Sequence, residues 1–212
     1  VTIEHARIQY GGWGQYANWG DGMVRNKSGT LRLACCELRG ALLRLVAANA
    51  GTVQIENSIL RDGRWGVDGT ATVINSIIHD CENSLVGTGT AINSVLIGCA
   101  NTASSGYSLR YCNIWQAGNP RTGNGNLAVN PLFVDAERGD YRLQDGSPLI
   151  DAGDGAAAPE LKRRFRAPDE RENLSGGEET RRRIAAAAAV VQDQVGNLIK
   201  QFSRGVPRPD AF

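Results

Sequence analysis

Two short stretches carry side chains that could do chemistry together: Arg61-Asp62 and His79-Asp80, the second followed by Cys81. They stand 18 positions apart, and Cys99 repeats Cys81 at the same interval. Two nearby carboxylates can divide acid and base or nucleophile roles in cleaving a glycosidic bond, or can hold a cation. Their mutual repulsion would push one pKa upward. Trp65 offers a flat apolar face for a sugar ring. The same residues also fit a plain turn, because Asp is favoured there and the next copy of the position is Gly98. Arg61 and His79 alternate with Ile97, as a variable outward position would.

A repeat is what would bring these residues together. Asn57, Asn75 and Asn93 recur every 18 residues, followed by Ser58, Ser76 and Ser94, then Ile59, Ile77 and Val95, then Leu60, Ile78 and Leu96. Allowing one extra residue, RYCNIW at 110–115 is a fourth copy with Cys112 in the Asn position. LACCELRG at 33–40 is an upstream copy with Cys36 in that position. The period is too short for helix-pair repeats of about 33–47 residues or propeller blades of about 40–45. It suits one turn of a solenoid of short strands, each coil hydrogen-bonded to the next about 4.8 Å away.

Stacking then puts Asn57, Asn75 and Asn93 in a side-chain amide ladder ended by Cys36 and Cys112, with the Ile/Val/Leu column as core. Asn also tolerates the left-handed backbone that a sharp bend needs. Asp62 and Asp80 would lie about 5 Å apart on adjacent coils. Cys81 and Cys99 would come close enough for a disulfide, or pack as reduced thiols. Cys35 is the expected free thiol, and the five cysteines cannot all pair within the chain.

The coil pattern resembles the right-handed parallel β-helix superfamily, of which pectate-lyase-like proteins are the best-known members. NPLFVDAERGDYRLQDGSPLIDAGD at 130–154 is similar to the segment that closes many bacterial secreted β-helix proteins, and VTIEHARIQYGG is similar to their Tyr-Gly-Gly coils. The resemblance covers about residues 1–155. It implies an all-β, single-stranded right-handed β-helix and an extracellular or cell-surface setting. Enzymes of this fold cut polysaccharides on the outer face, with paired carboxylates or calcium-assisted proton abstraction, and neither motif assigns a catalytic residue.

These residues divide the chain into coils at 1–118 with a loop insertion at 11–29, a cap at 119–155, a linker at 156–175, a helix at 176–204 and a tail at 205–212. An open stack of strands must cover its ends, and the Pro- and Gly-bearing 119–131 stretch suits a chain folding over the last rung. Asp135, Asp140, Asp151 and Asp154 in the cap could hold Ca²⁺ or simply make turns. In the insertion, Trp13, Tyr16 and Trp19 are suited to stacking on sugars or to packing over the first coils. Ser175 and Glu178 form a capping box opening the helix. Its stripe of Ile184, Ala188, Val191, Val195, Leu198 and Phe202 would dock on the solenoid or on a neighbouring subunit, giving a homo-oligomer. LSGGEE resembles the ABC ATPase signature, but the required G-x-x-x-x-G-K-[ST] loop is missing.

A formal net charge of +1, from 23 basic and 22 acidic side chains, gives no bias toward nucleic acid or anionic membranes. No apolar run reaches the roughly 18 residues of a membrane span. The chain opens at Val1 in what reads as a strand, so upstream coils are expected, together with a signal peptide that this chain does not carry. The expected function is a non-catalytic extracellular structural or binding module that contacts a polysaccharide. The alternatives are a polysaccharide lyase or glycosidase, and a scaffold subunit joined through its helix.

Overall fold

A computed structural model describes residues 1–11, 22–119 and 121–154. Those residues form a parallel β-solenoid of about five turns. Its strands in chain order are β1 (Thr2–Glu4), β2 (Arg7–Gln9), β3 (Gly22–Asn26), β4 (Thr30–Ala34), β5 (Glu37–Glu56), β6 (Ile59–Ile74), β7 (Ile77–Ile92), β8 (Val95–Ile97), β9 (Asn101–Ala103), β10 (Gly106–Arg110) and β11 (Asn113–Trp115). All pair in parallel, and a separate antiparallel pair, β12 (Phe133–Asp135) and β13 (Asp140–Leu143), follows. Arg7 stands over Glu37 at 30 residues, Cys36 over Ser58 at 22, and Ser58 over Ser76 at 18. The 22-residue coil absorbs its extra length as register shifts at Ala41/Arg44 and Ala48/Val53. Within the 11–29 insertion, Gly22–Asn26 is strand β3, paired with β5.

Each coil has three sides, represented by 70–74, 77–79 and 83–87. The first bend takes one residue at positive φ per coil: His5, Cys35, Asn57, Asn75, Asn93 and Tyr111. Asn57, Asn75 and Asn93 hold φ of 50°, 49° and 50°, which Asn tolerates better than most residues. The second bend does the same with Tyr10, Gly40, Asp62, Asp80, Gly98 and Gln116. At the third bend Gly69 and Gly87 stack so closely that a Cβ on Gly87 would lie 2.5 Å from the Gly69 carbonyl oxygen.

The expected amide ladder is corrected by the hydrogen bonds. The inter-coil side-chain bonds run through the serines: Cys36 N–H donates to Ser58 Oγ at 3.1 Å, Ser58 N–H to Ser76 Oγ at 3.2 Å, and Ser76 N–H to Ser94 Oγ at 3.3 Å. Each Oγ donates in turn to the carbonyl two residues back, at 2.8–2.9 Å. Asn57 Oδ1 is buried with no partner among the described residues. Cys36 and Cys112 therefore end the Ser column, not the Asn column, whose ends are Cys35 and Tyr111. RYCNIW needs no extra residue, because Arg110 pairs with Ile92 and Asn113 with Val95 at the plain 18-residue offset.

The interior of the solenoid is apolar. Leu38, Leu60, Ile78, Leu96 and Ile114 point inward on the second side, facing Leu33, Ile55, Val73, Ala91 and Leu109 from the first. Ile59, Ile77 and Val95 point the other way, into a second core with Ile97, Phe133, Tyr141, Leu143 and Leu149. The 133–149 part of the cap therefore lies along the outer surface of the second side, in addition to the expected cover over the last rung. The last complete coil is covered by the partial turn 121–129. There Leu127 pairs with Asn113, and Arg121 donates to the carbonyls of Ala103, Ser104 and Tyr107 at 2.7–2.9 Å.

Candidate functional site

The candidates Arg61, Asp62, His79 and Asp80 do meet at the second bend, with Arg61 and His79 beneath the cap, Asp62 half-buried and Asp80 exposed. β6 and β7 run in register, so Arg61 pairs with His79, and Asp62 and Asp80 occupy equivalent left-handed positions one coil apart. Asp62 is neutralised by two guanidinium groups, whereas Asp80 meets only an imidazole that burial keeps neutral. Asp62 Oδ2 accepts from Arg39 Nε at 2.8 Å and from Arg61 Nε at 3.1 Å. Asp80 Oδ2 lies 3.3 Å from His79 Nε2. A Cβ on Gly98 would fall 2.2 Å from Asp80 Oδ1, so the Asp80 side chain fills the space that glycine leaves in the next coil.

The cations are covered by the cap. Arg61 is 3% exposed and donates through Nη2 to the Glu137 carbonyl at 3.0 Å, and through Nη1 to the Ala136 carbonyl and Tyr141 Oη, both at 3.4 Å. Gly139 (φ +84°) is required here, because its Cβ would come within 2.9 Å of Arg61 Nη1. His79, 5% exposed, has Nδ1 at 2.8 Å from Tyr141 Oη. With Nε2–H facing Asp80, Nδ1 is the acceptor and the phenol the donor. The rings of His79 and Phe133 both meet Tyr141 edge-on, with centroids 5.6 and 5.2 Å away.

The electrostatics follow from this burial. Burial lowers the pKa of His79 and Arg61 lowers it further, against the opposing pull of Asp80, Asp62 and Glu137. Burial also works against charge on Arg61, but Tyr141 and Asp62 more than offset it, and the guanidinium stays charged. Burial pushes the Tyr141 phenol up, so it remains a neutral donor. The arrangement is a chain of hydrogen bonds from Arg61 through Tyr141 to His79, whose Nε2 lies beside Asp80. It ties a β-hairpin to a sheet and leaves no buried member of the chain open to a substrate.

The other candidates are dispersed. Trp65 is half-buried with the Arg44 guanidinium 4.1 Å from its ring centroid, and Arg44 Nε also donates to Asp68 at 2.5 Å. Trp65 therefore already has a cation on its ring. Trp13, Tyr16 and Trp19 lie outside the described residues, as do Ile184, Ala188, Val191, Val195, Leu198 and Phe202. Asp135 pairs with Arg138 at 3.4 Å, and Asp140 with Arg142 at 2.6 Å, which lowers the Asp140 pKa. Asp151 sits at φ +61° in a turn, and Asp154 is held by Asn93 and Arg110. These four acids do not converge, and no three His, Cys, Asp or Glu side chains gather to hold a metal ion among the described residues.

All five cysteines are buried free thiols, so the disulfide between Cys81 and Cys99 is not formed. Cys81 Sγ donates to the His79 carbonyl at 3.6 Å and Cys99 Sγ to the Ile97 carbonyl at 3.4 Å, and burial works against the thiolate of both. Burial raises Cys35 and Cys112 each to about 11, and Cys35, the expected free thiol, is buried too but is the least enclosed of the five.

Two members of the clasp, Arg39 and Tyr141, were not singled out in the sequence. The signal that bears on them is the unbroken apolar run Ile77-Ile78 and Val95-Leu96-Ile97, which marks a strand covered on both faces and so a partner layer. No protein-family model, curated protein or solved structure matches the chain.

Proposed function

We propose that the chain is a non-catalytic extracellular module of a larger surface or secreted protein. In this reading it belongs to the pectate-lyase-like right-handed β-helix type, and its Trp13, Tyr16 and Trp19 contact glycans. The supporting observation is that, of Asp62 and Asp80, the one stacked carboxylate pair the sequence offered, Asp62 is neutralised by Arg39 and Arg61, and that the neighbours Arg61 and His79 lie under the cap. A general acid or base must reach the proton it moves. Here the buried nitrogen donors are spent on Glu137, Ala136 and Tyr141 instead.

The test is incubation with acidic and neutral polysaccharides, with and without calcium, followed by product analysis and by affinity electrophoresis on the same panel. The proposal expects retarded migration on at least one glycan, lost in Trp13→Ala/Trp19→Ala, with no cleavage products. Cleavage that Asp62→Asn or Asp80→Asn abolishes would overturn it.

A further inference from the structure

We infer that the contact between Tyr141 and His79 is a pH-sensitive latch: protonation of His79 releases the 130–154 cap from the second side of the solenoid. The inference concerns the same residues as the proposed module but stands apart from its glycan binding.

The geometry makes the contact depend on protonation. Tyr141 Oη receives Arg61 Nη1 at 3.4 Å and gives its own proton to His79 Nδ1 at 2.8 Å. A proton added to Nδ1 sets two donors against each other and removes the acceptor that, among the described residues, takes that hydroxyl proton. The phenol would have to turn, with the Arg61 cation on its other side.

The charged and titratable groups facing the ring come from every layer packed on it. β6 contributes Arg61 and the bend residue Asp62, the latter shared with Arg39. The His79 coil contributes Asp80, and the cap contributes Tyr141 and Glu137. Asp80, the nearest acid, is 3.3 Å from Nε2 and already faces a proton in the neutral tautomer, so a second proton gains no new partner.

The cap is held by few other polar ties in this region. It is anchored by Arg61 on the carbonyls of residues 136 and 137 and by Asn93, whose amide takes both the N–H and the carbonyl of Asp154, at 2.8 and 3.0 Å. The hairpin makes no strand pairing with the coils among the described residues. Arg110 adds an ion pair to Asp154 at 3.5 Å, and Ile59, Ile77, Val95 and Ile97 supply apolar packing, which does not titrate.

The sign follows from linkage. A histidine favoured neutral when docked and free to charge when released loses docking free energy as pH falls through its released value of about 6.5. Docking is complete above that pH. The ceiling on the change in opening constant at pH 5.5 is 1 + 10, about elevenfold, set by that one proton.

The experiment is hydrogen exchange of peptides from 130–154, corrected for intrinsic chemical rates, at pH 7.5 and 5.5 on the full chain. The expected result is a rise in corrected exchange of more than twofold and up to about tenfold in the cap, absent in His79→Gln and retained in His5→Gln. The chain has two histidines, so ring resonances of the unmodified protein provide a second measurement that needs no variant. His79 should titrate below the ordinary imidazole value of about 6.5 and together with cap resonances. A cap rise of less than twofold, a rise retained in His79→Gln, or a His79 midpoint at or above about 6.5 overturns the latch.

Discussion

Replacing Ser58 by alanine should destabilise the solenoid by about 2–4 kcal/mol, while Asn57→Gly should cost less than about 1 kcal/mol. Ser58 Oγ accepts Cys36 N–H at 3.1 Å and donates to the Glu56 carbonyl at 2.8 Å, in a fully buried position. Alanine leaves that buried N–H without an acceptor, which costs about 1–3 kcal/mol, and removes a second bond worth about 1 kcal/mol net. At Asn57 the backbone φ of 50° is one that glycine takes without strain. The extra chain entropy of glycine costs about 0.5–1 kcal/mol. Against this, the buried and unpartnered Oδ1 disappears, which returns a desolvation cost of about 1–3 kcal/mol, while the packing of the side chain is lost. Urea unfolding of both variants with unchanged slope gives the two values directly. An Asn57→Gly cost equal to or above that of Ser58→Ala would refute the serine ladder and restore the amide ladder.

Gly98→Ala should lower stability by about 2–3 kcal/mol, since φ is +66° and the new Cβ meets Asp80 Oδ1; Gly146→Ala, at φ +82° with nothing within 4 Å, should cost about 1–2 kcal/mol. Calorimetry of the pair separates backbone strain from crowding. Thiol titration under native conditions should find all five cysteines slow to react, and unfolding without reductant should release five; a count of three would mean a Cys81–Cys99 disulfide. Tyr141→Phe leaves His79 Nδ1 buried without its donor and should cost about 1–3 kcal/mol, read as faster exchange in the cap than in the coils.

The architecture was legible because stacked coils repeat their chemistry: Asn57, Asn75 and Asn93 mark one bend, and Leu60, Ile78 and Leu96 mark one wall. Which of two adjacent fixed columns carries the inter-coil bonds was not legible. Asn and Ser are both polar and both invariant, and only the bend geometry aims Oγ along the stack while the Asn is kept for its φ. The inward and outward sides of 59–61 and 77–79 were also hard to separate, because the cap makes both sides apolar and removes the alternation that would tell them apart. The candidate residues were found correctly as neighbours, since register follows from the period. Their partners were not, because Arg39 lies in a coil of irregular length and Tyr141 is 62 residues from His79. Long-range docking by side chains leaves no periodic trace.

That Arg61 clasps the cap to the solenoid is tested most directly by hydrogen exchange of Arg61→Met. Its hydrogen bonds from a charged group are worth about 1.5–3 kcal/mol each, and 1.4 kcal/mol is a factor of ten. Protection in 130–154 should fall by tenfold or more, while peptides from 59–115 change by less than twofold. Cap protection that stays as it was, or a loss spread evenly through the coils, would contradict the clasp.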